Sequence, residues 1–169
     1  QYQTISGIIF DFDNTLYNAD KAYLYALNSV GILPDDDEYK LARMSIKTRL
    51  GNNPSSRNRL LYFKEKLVNQ DRFSPSKTLE MMTQYENALE ENIRKQWNEL
   101  NRNTLFDHLN SKFKLLILTN ENTRTQLIKL RAIDPHSRFF NHIITSEEIG
   151  VEKPNIKIFE AAITYFNLP

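Results

Sequence analysis

The sequence predicts an α/β fold in which a parallel sheet carries an all-helical lobe inserted after its first strand. Three short apolar runs rich in β-branched residues predict buried strands, and polar or turn-forming residues follow each of them. The second and third runs alternate with helical patterns of about ten residues, which is typical of βαβ units and a Rossmann-like sheet. Residues 20–100 carry only helical patterns. This stretch therefore predicts the inserted lobe.

The first strand is predicted over Ile5–Phe10, and it runs directly into Asp11-Phe12-Asp13-Asn14. The acidic run Asp35–Glu38 is typical of a helix N-terminus. Helical spacing then predicts one helix that ends before Gly51 and has these inward residues: Tyr39, Ala42, Ile46 and Leu50. A second helix is predicted with Leu60, Phe63 and Leu67 inward.

A long third helix is predicted to start at Ser74-Pro75, where serine is the N-cap and proline the first helical residue. Its predicted inward stripe is Leu79, Met82, Tyr85, Leu89, Ile93 and Trp97. The later elements are predicted as a strand at Leu115–Thr119, a helix at Thr123–Ile133 with Leu127, Leu130 and Ile133 inward, a strand at His142–Thr145 and a helix at Ile156–Phe166. We therefore expect a core domain over residues 1–18 and 101–169, and a helical lobe over residues 19–100.

Composition excludes several function classes. The 22 Lys and Arg residues balance 21 Asp and Glu residues, so no overall field favours nucleic acid or an anionic membrane. No apolar run approaches the roughly 20 residues needed to span a bilayer. The sequence contains no Cys, which excludes disulfides, thiolate metal sites and Cys nucleophiles. The N-terminus resembles no signal peptide, and we expect a cytoplasmic protein without nucleic-acid or membrane partners.

Polar side chains follow all three predicted strands. Asp11 and Asp13 come after the first strand, Thr119 ends the second, and Lys153 lies between the third strand and the next helix. Open parallel sheets bind ligands at the carboxyl ends of their strands, so we expect these groups to converge. Two neighbouring carboxylates repel each other unless a cation intervenes, and hard oxygen ligands suit Mg²⁺. Carboxylates, a metal and an ammonium group around one point are suited to phosphoryl transfer.

Three segments resemble the signatures of the haloacid dehalogenase superfamily. Ile8–Tyr17 resembles the first signature, an apolar strand followed by DxDxT. Leu116–Asn120 resembles the second, and Thr145–Asn155 with the following Ile158-Phe159 resembles the third. Their order and spacing fit, and the resemblance covers nearly the whole chain. It implies a hydrolase with a Rossmann-like core and a type 1 helical cap, which residues 19–100 would form.

The resemblance also implies roles for individual residues. Asp11 resembles the nucleophile that forms an aspartyl-phosphate, and Asp13 resembles the general acid and base. Both would hold Mg²⁺, with Asp13 contributing its main-chain carbonyl. Thr119 resembles the hydroxyl that binds a phosphoryl oxygen, and Asn120 follows it in the same turn as a further substrate contact. Lys153 resembles the cation that holds both Asp11 and the phosphoryl group.

These roles predict a Mg²⁺-dependent phosphomonoester hydrolase acting on a small phosphorylated metabolite such as a nucleotide or sugar phosphate. One alternative is a carbon–halogen hydrolase of the 2-haloacid dehalogenase type, but members with that activity usually lack the second acid, whereas Asp13 is present. Another is a catalytically inactive binding module. The family's fourth signature, an acidic pair completing the Mg²⁺ site, would begin after Pro169, so we expect a C-terminally incomplete core and either a natural chain that continues or a proteolysed or partly observed form.

A basic cluster in the predicted lobe leaves two interpretations open. It consists of Arg43, Lys47, Arg49, Arg57 and Arg59. One or two of these side chains would contact an anionic part of a substrate, or the cluster is a solvated helical face. We favour the solvated face, because exposed charges of this kind are common and contribute little.

Overall fold

The computed structural model describes residues 5–167, in which three parallel strands form one sheet in the order β1-β2-β3. The strands are β1 (Gly7–Phe10), β2 (Lys114–Thr119) and β3 (His142–Thr145). Phe10 pairs with Ile117, and Thr119 pairs with Thr145. This register brings the carboxyl ends of all three strands to one edge, and it confirms the predicted α/β class.

Residues 19–100, which lie between β1 and β2, form four helices and a short 3₁₀ turn. They are α1 (Ala19–Ser29), α2 (Asp37–Leu50), the 3₁₀ turn (Pro54–Arg57), α3 (Arg59–Asn69) and α4 (Pro75–Leu100). The remaining helices are α5 (Asn103–Asn110), α6 (Thr123–Ile133), α7 (Ser146–Ile149) and α8 (Ile156–Asn167). No helix within residues 5–167 is long and apolar enough to cross a membrane.

Helices cover both faces of the sheet. On one face Leu115 and Ile117 join a large cluster that continues into the interior of α1–α4. On the other face Leu116 and Leu118 pack against α8. Gly7 is required for that packing, because a Cβ atom there would lie 2.3 Å from the ring of Phe166. The strands β2 and β3 are therefore buried on both faces, as parallel strands usually are, whereas β1 is partly open and Ile9 is 40% exposed.

The long helix α4 begins as predicted, with the Ser74 side chain accepting a hydrogen bond from the Lys77 amide at 3.1 Å. Five of the six residues predicted to face inward are buried: Met82, Tyr85, Leu89, Ile93 and Trp97. The prediction is wrong for Leu79, which is 58% exposed, whereas Thr78 is buried. Thr78 lies four residues before Met82, so the inward face passes through Thr78 and leaves Leu79 beside an open groove against α1.

The inward face of α6 also differs from the prediction. Ile133 is buried as expected and Leu130 is half-buried, but Leu127 is 50% exposed. Gln126 and Lys129 are fully buried instead. The apolar spacing was misleading because this helix follows β2 directly and turns a polar face toward the sheet edge where the candidate site lies.

Candidate active site

The loop after β1 turns sharply and presents two carboxylates at the sheet edge. The amides of Thr15 and Leu16 donate to the Phe12 carbonyl at 3.3 and 3.0 Å, which closes the turn. The Asp11 side chain is 49% exposed and the Asp13 side chain 27% exposed. Asp11 therefore remains open to solvent while Asp13 points toward the interior.

Lys153 reaches back from the loop after α7 to the first strand. Its Nζ lies 2.7 Å from Asp11 Oδ1 and donates to the Leu118 carbonyl at 2.8 Å. Asn120 fixes the lysine main chain, since its Oδ1 accepts from the Lys153 amide at 2.7 Å and its Nδ2 donates to the Lys153 carbonyl at 3.0 Å. Thr15 Oγ1 donates to the other Asp11 oxygen at 3.3 Å. The predicted pair of Asp11 and Lys153 is thus brought together.

Asp13 is surrounded by donors from three side chains. Lys129 Nζ lies 2.9 Å from Oδ1 and 3.1 Å from Oδ2, and Gln126 Nε2 donates to Oδ2 at 3.3 Å. The Tyr17 hydroxyl donates to Oδ1. Burial raises the pKa of Asp13, but the Lys129 ammonium and these hydrogen bonds outweigh it and hold that pKa below its ordinary value. Burial lowers the pKa of Lys129 although Asp13 opposes the shift.

Thr119 completes the cluster at the end of β2. It is almost fully buried, and its hydroxyl oxygen accepts from Gln126 Nε2 at 2.6 Å. Because the amide nitrogen is the donor, the hydroxyl keeps its own proton for another acceptor. Gln126 thereby joins Thr119 to Asp13, and the four predicted catalytic residues lie around one edge of the sheet.

Two arginines of the basic cluster bind acidic residues of the sheet domain. Arg59 donates to Glu121 at 2.7 Å, and Glu121 is 2% exposed. Arg57 binds Glu152 through two hydrogen bonds of 2.7 and 3.0 Å. The guanidinium of Arg59 also lies 4.3 Å from the centre of the Tyr23 ring. The solvated-face hypothesis is therefore wrong for Arg57 and Arg59, which join the helical lobe to loops beside Thr119 and Lys153.

The sequence model of the haloacid dehalogenase-like hydrolases matches residues 8–169. The chain belongs to this family. It is 31% identical over 170 residues to the glyceraldehyde 3-phosphate phosphatase of Methanothermobacter thermautotrophicus, covering 94% of this chain and 70% of that protein. The fold of this hydrolase is similar to that of two solved members. They are the 2-haloacid dehalogenase of Pseudomonas syringae (TM-score 0.65, 16% identity, 98% of this chain and 74% of that one) and the HAD-hydrolase YfnB of Bacillus subtilis, solved bound to magnesium (TM-score 0.59, 22% identity, 96% and 74%).

The donor set of this haloacid dehalogenase-like hydrolase suits Mg²⁺ at Asp11 more than at the Asp13 side chain. Within residues 5–167 no three Asp, Glu, His or Cys side chains are grouped to hold a metal. Mg²⁺ commonly uses one or two protein oxygens and takes its other ligands from water and substrate phosphate. The half-exposed Asp11 carboxylate fits that pattern. The oxygens of the Asp13 carboxylate already accept hydrogen bonds from Lys129, Tyr17 and Gln126. Asp13 would contribute its main-chain carbonyl.

Sequence reasoning did not find Lys129, Gln126 or Tyr17 as site residues. Tyr17 lies within the first signature segment, whereas for Lys129 and Gln126 the signal was position rather than residue pattern. The helix α6 begins four residues after Thr119, so the inward side chains of its first two turns lie close to the carboxyl end of β2. Polar residues at inward positions of these two turns are expected to face the ligand site at the sheet edge, even where the spacing of the leucines suggests an apolar face.

Proposed function

We propose that this hydrolase cleaves small phosphate monoesters with the help of Mg²⁺, using Asp11 as the nucleophile. The observation that carries the proposal is the pairing of the half-exposed Asp11 carboxylate with Lys153 at 2.7 Å, next to the less exposed Asp13 carboxylate. A nucleophile in contact with a cation is suited to phosphoryl transfer, because that reaction depends on positioning and on charge neutralisation. The phosphatase named among its relatives supports this class of substrate.

Substrate binding would use groups that already point to the sheet edge. The Lys153 ammonium would neutralise charge on the phosphoryl oxygens, and the Thr119 hydroxyl would donate a hydrogen bond to one of them. When bound, Mg²⁺ would add positive charge beside the same oxygens. Asn120 binds the main chain of Lys153, which fixes the point from which the lysine side chain extends.

In the first step an Asp11 oxygen attacks phosphorus, and the bond between phosphorus and the ester oxygen breaks. The departing oxygen takes a proton from Asp13, which gives a free alcohol and an aspartyl-phosphate. Asp13 must carry that proton beforehand. The negative charge of the arriving phosphate raises the pKa of a neighbouring carboxyl and so favours the protonated form.

In the second step Asp13, now a carboxylate, takes a proton from water as the water oxygen attacks phosphorus. The bond to Asp11 breaks, inorganic phosphate leaves, and the Asp11 carboxylate is restored. The hydrogen bonds that lower the pKa of Asp13 favour its charged form before this step and hold the base in place. One carboxyl group therefore serves both steps by changing its protonation state.

We also propose that residues 19–100 act as the cap over a core formed by residues 1–18 and 101–169. The buried contact between Arg59 and Glu121 joins this lobe to the loop after Thr119. A lobe held there would restrict access of water during phosphoryl transfer and leave room only for small esters.

The proposal is tested by phosphate release from glyceraldehyde 3-phosphate and from p-nitrophenyl phosphate in the presence of Mg²⁺. We expect Asp11→Asn to lower turnover at least about a thousandfold, because loss of a nucleophile removes the covalent route. Asp35→Asn is the matched control, since it makes the same change at an exposed position of the helical lobe. Undiminished phosphate release by Asp11→Asn contradicts the proposal. Halide release from 2-chloropropionate without phosphate release would instead indicate carbon–halogen hydrolysis.

A further inference from the structure

We propose that Lys129 is a positioning residue for the proton-transfer step, acting through Asp13 and touching no substrate itself. This inference rests on the proposed function, because it assigns Lys129 a part in departure of the ester oxygen. It goes beyond the three signature segments, since Lys129 lies outside all of them, on the inward face of α6.

The Lys129 ammonium group lies against the Asp13 carboxylate in a fully buried position. The side chain is fully buried, and Nζ contacts both oxygens of Asp13, at 2.9 and 3.1 Å. The Tyr23 hydroxyl also meets the ammonium, and the Tyr23 ring centre lies 4.6 Å from it. An ammonium that contacts both carboxylate oxygens restrains rotation of the Asp13 carboxyl group about its terminal bond. The carboxylate is thereby held in one orientation toward the sheet edge.

Stability alone gives little reason to place a lysine at this position. Removing an ammonium group from water costs several kcal/mol, and replacing a buried ion pair with apolar residues is often neutral or stabilising. Leucine or methionine would satisfy the helical pattern of α6 equally well. A buried lysine whose carboxylate partner is the predicted general acid is therefore better explained by the reaction than by folding.

Asp13 and Thr119 also share a donor, which extends this positioning to the phosphoryl-binding hydroxyl. Gln126 Nε2 reaches Asp13 Oδ2 at 3.3 Å and Thr119 Oγ1 at 2.6 Å. A shift of the Asp13 carboxylate would therefore disturb both contacts. Displacement of a catalytic group by about 1 Å costs on the order of a hundredfold in rate, so the orientation that Lys129 maintains has a measurable effect.

The test compares two esters whose leaving groups differ in their need for a proton. The glycerol of glycerol 3-phosphate leaves as an alkoxide unless its ester oxygen is protonated, whereas the p-nitrophenolate of p-nitrophenyl phosphate leaves readily without protonation. Loss of general-acid catalysis, which is worth about 10² to 10⁴ in rate, should therefore affect the first ester selectively. A defect in folding or phosphate binding affects both esters alike.

We expect Lys129→Met to slow the first chemical step, measured as release of the first equivalent of alcohol, at least about thirtyfold for glycerol 3-phosphate and less than about fivefold for p-nitrophenyl phosphate. Lys129→Arg should restore most of the loss, because it keeps the buried charge. Lys66→Met is the matched control, since it removes a largely buried, ion-paired lysine from the helical lobe. It should leave the ratio of the two first-step rates unchanged. Equal losses on both esters in Lys129→Met, or none on either, overturn the inference.

If Lys129→Met fails to fold, as judged by circular dichroism, the double variant Asp13→Asn, Lys129→Met carries the test. It removes both charges of the ion pair together and leaves neither unpaired. Because Lys129 acts only through Asp13, the double variant should release its first equivalent of p-nitrophenol as fast as Asp13→Asn alone. A further loss contradicts the inference. Inactivity of the unsubstituted chain on both esters would contradict the proposed function and this inference together, whereas an active chain with uniformly impaired Lys129 variants would contradict this inference alone.

Discussion

Two Asp–Lys pairs in this hydrolase have nearly the same geometry but different surroundings. Lys66 lies 3.0 Å from both oxygens of Asp36 in the helical lobe, and Lys129 lies 2.9 and 3.1 Å from those of Asp13 at the sheet edge. Lys66 keeps 10% exposure, whereas Lys129 has none. Burial lowers the pKa of both lysines, but only at Lys66 do the carboxylate contacts outweigh it and raise that pKa.

The carboxylates of the two pairs also have different additional partners. Asp36 is the N-cap of α2 and accepts from the Tyr39 main-chain amide at 2.8 Å, so it stabilises local backbone structure. Asp13 accepts from Tyr17 and Gln126 side chains. The first pair is explained by helix capping. In the second pair the additional donors orient the Asp13 side chain, which is an arrangement expected at a reacting group.

The largest predicted difference between the pairs is in catalysis. Asp13→Asn should lower kcat for an alkyl phosphate by about 10² to 10⁴, because it removes the proton donor of the first step. Asp36→Asn should leave kcat within about twofold, since its carboxylate binds Tyr39 and Lys66 within the helical lobe and has no part in the proposed reaction. Steady-state phosphate release measures both. Comparable losses in the two variants would remove the distinction between the pairs.

A third ion pair, Arg59–Glu121, is buried like the Lys129–Asp13 pair, but like the Lys66–Asp36 pair it should stabilise the fold. Glu121→Gln leaves the buried Arg59 guanidinium without its counter-ion, and we expect a loss of about 3 kcal/mol in unfolding free energy. Asp107→Asn is the control, because its ion pair with Arg138 is exposed and should contribute less than about 1 kcal/mol. Denaturant unfolding gives both values. Equal losses would mean that burial does not set the strength of these pairs.

The Asp36 pair should produce a smaller effect that depends on pH. Although partial burial raises the pKa of Asp36, the Tyr39 amide and Lys66 hold it below its ordinary value of 3.8, so its stabilising contribution is present above that pH. It is lost as pH falls through the lowered pKa. The raised pKa of Lys66 makes its contribution complete below 10.5 and lost as pH rises through the folded-state value.

Asp36→Asn should therefore lower the unfolding free energy by about 1 kcal/mol or less between pH 5 and 9, with the difference from the unsubstituted chain disappearing in strong acid and strong base. Asparagine is also a good N-cap, so the variant isolates the charge. Asp36→Ala, which removes the cap as well, should lose about 1 kcal/mol more. A difference that persists unchanged at pH 2 would contradict the assignment of the effect to the carboxylate charge.

The smallest predicted effect concerns the outer face of α6. Leu127→Gln should change the unfolding free energy by no more than about 0.5 kcal/mol, because this leucine is 50% exposed. Leu89→Ala is the comparison, because it removes a fully buried side chain of α4. It should lower the unfolding free energy by roughly 2 to 5 kcal/mol. Thermal or denaturant unfolding distinguishes them. A large loss at Leu127 would mean that α6 packs as its apolar spacing predicts.

The contrast between α4 and α6 shows which parts of this fold can be predicted from sequence. The α4 stripe from Met82 to Trp97 belongs to the large apolar cluster, so hydrophobic spacing locates it correctly. The inward face of α6 meets charged groups at the sheet edge, so Gln126 and Lys129 are buried where the spacing favours Leu127. Periodicity identifies burial only where the neighbouring surface is apolar.

The candidate site divides in the same way. Asp11, Asp13, Thr119 and Lys153 could be predicted because each follows a strand and matches a signature segment. The partners of Asp13 could not, since a buried lysine is stabilised by a residue 116 positions away in the sequence. The contacts of Arg57 and Arg59 depend likewise on how the helical lobe lies against the sheet domain, which local sequence does not specify.

The most direct test of the central role of Asp11 is to identify the phosphorylated residue. The chain is mixed with p-nitrophenyl phosphate and Mg²⁺, quenched in acid within one turnover, digested and analysed by peptide mass spectrometry. We expect one phosphoryl group on Asp11, and more of it in Asp13→Asn, where attack by water is slowed. Phosphate release without phosphorylated Asp11, or with the phosphoryl group on another residue, would contradict the account.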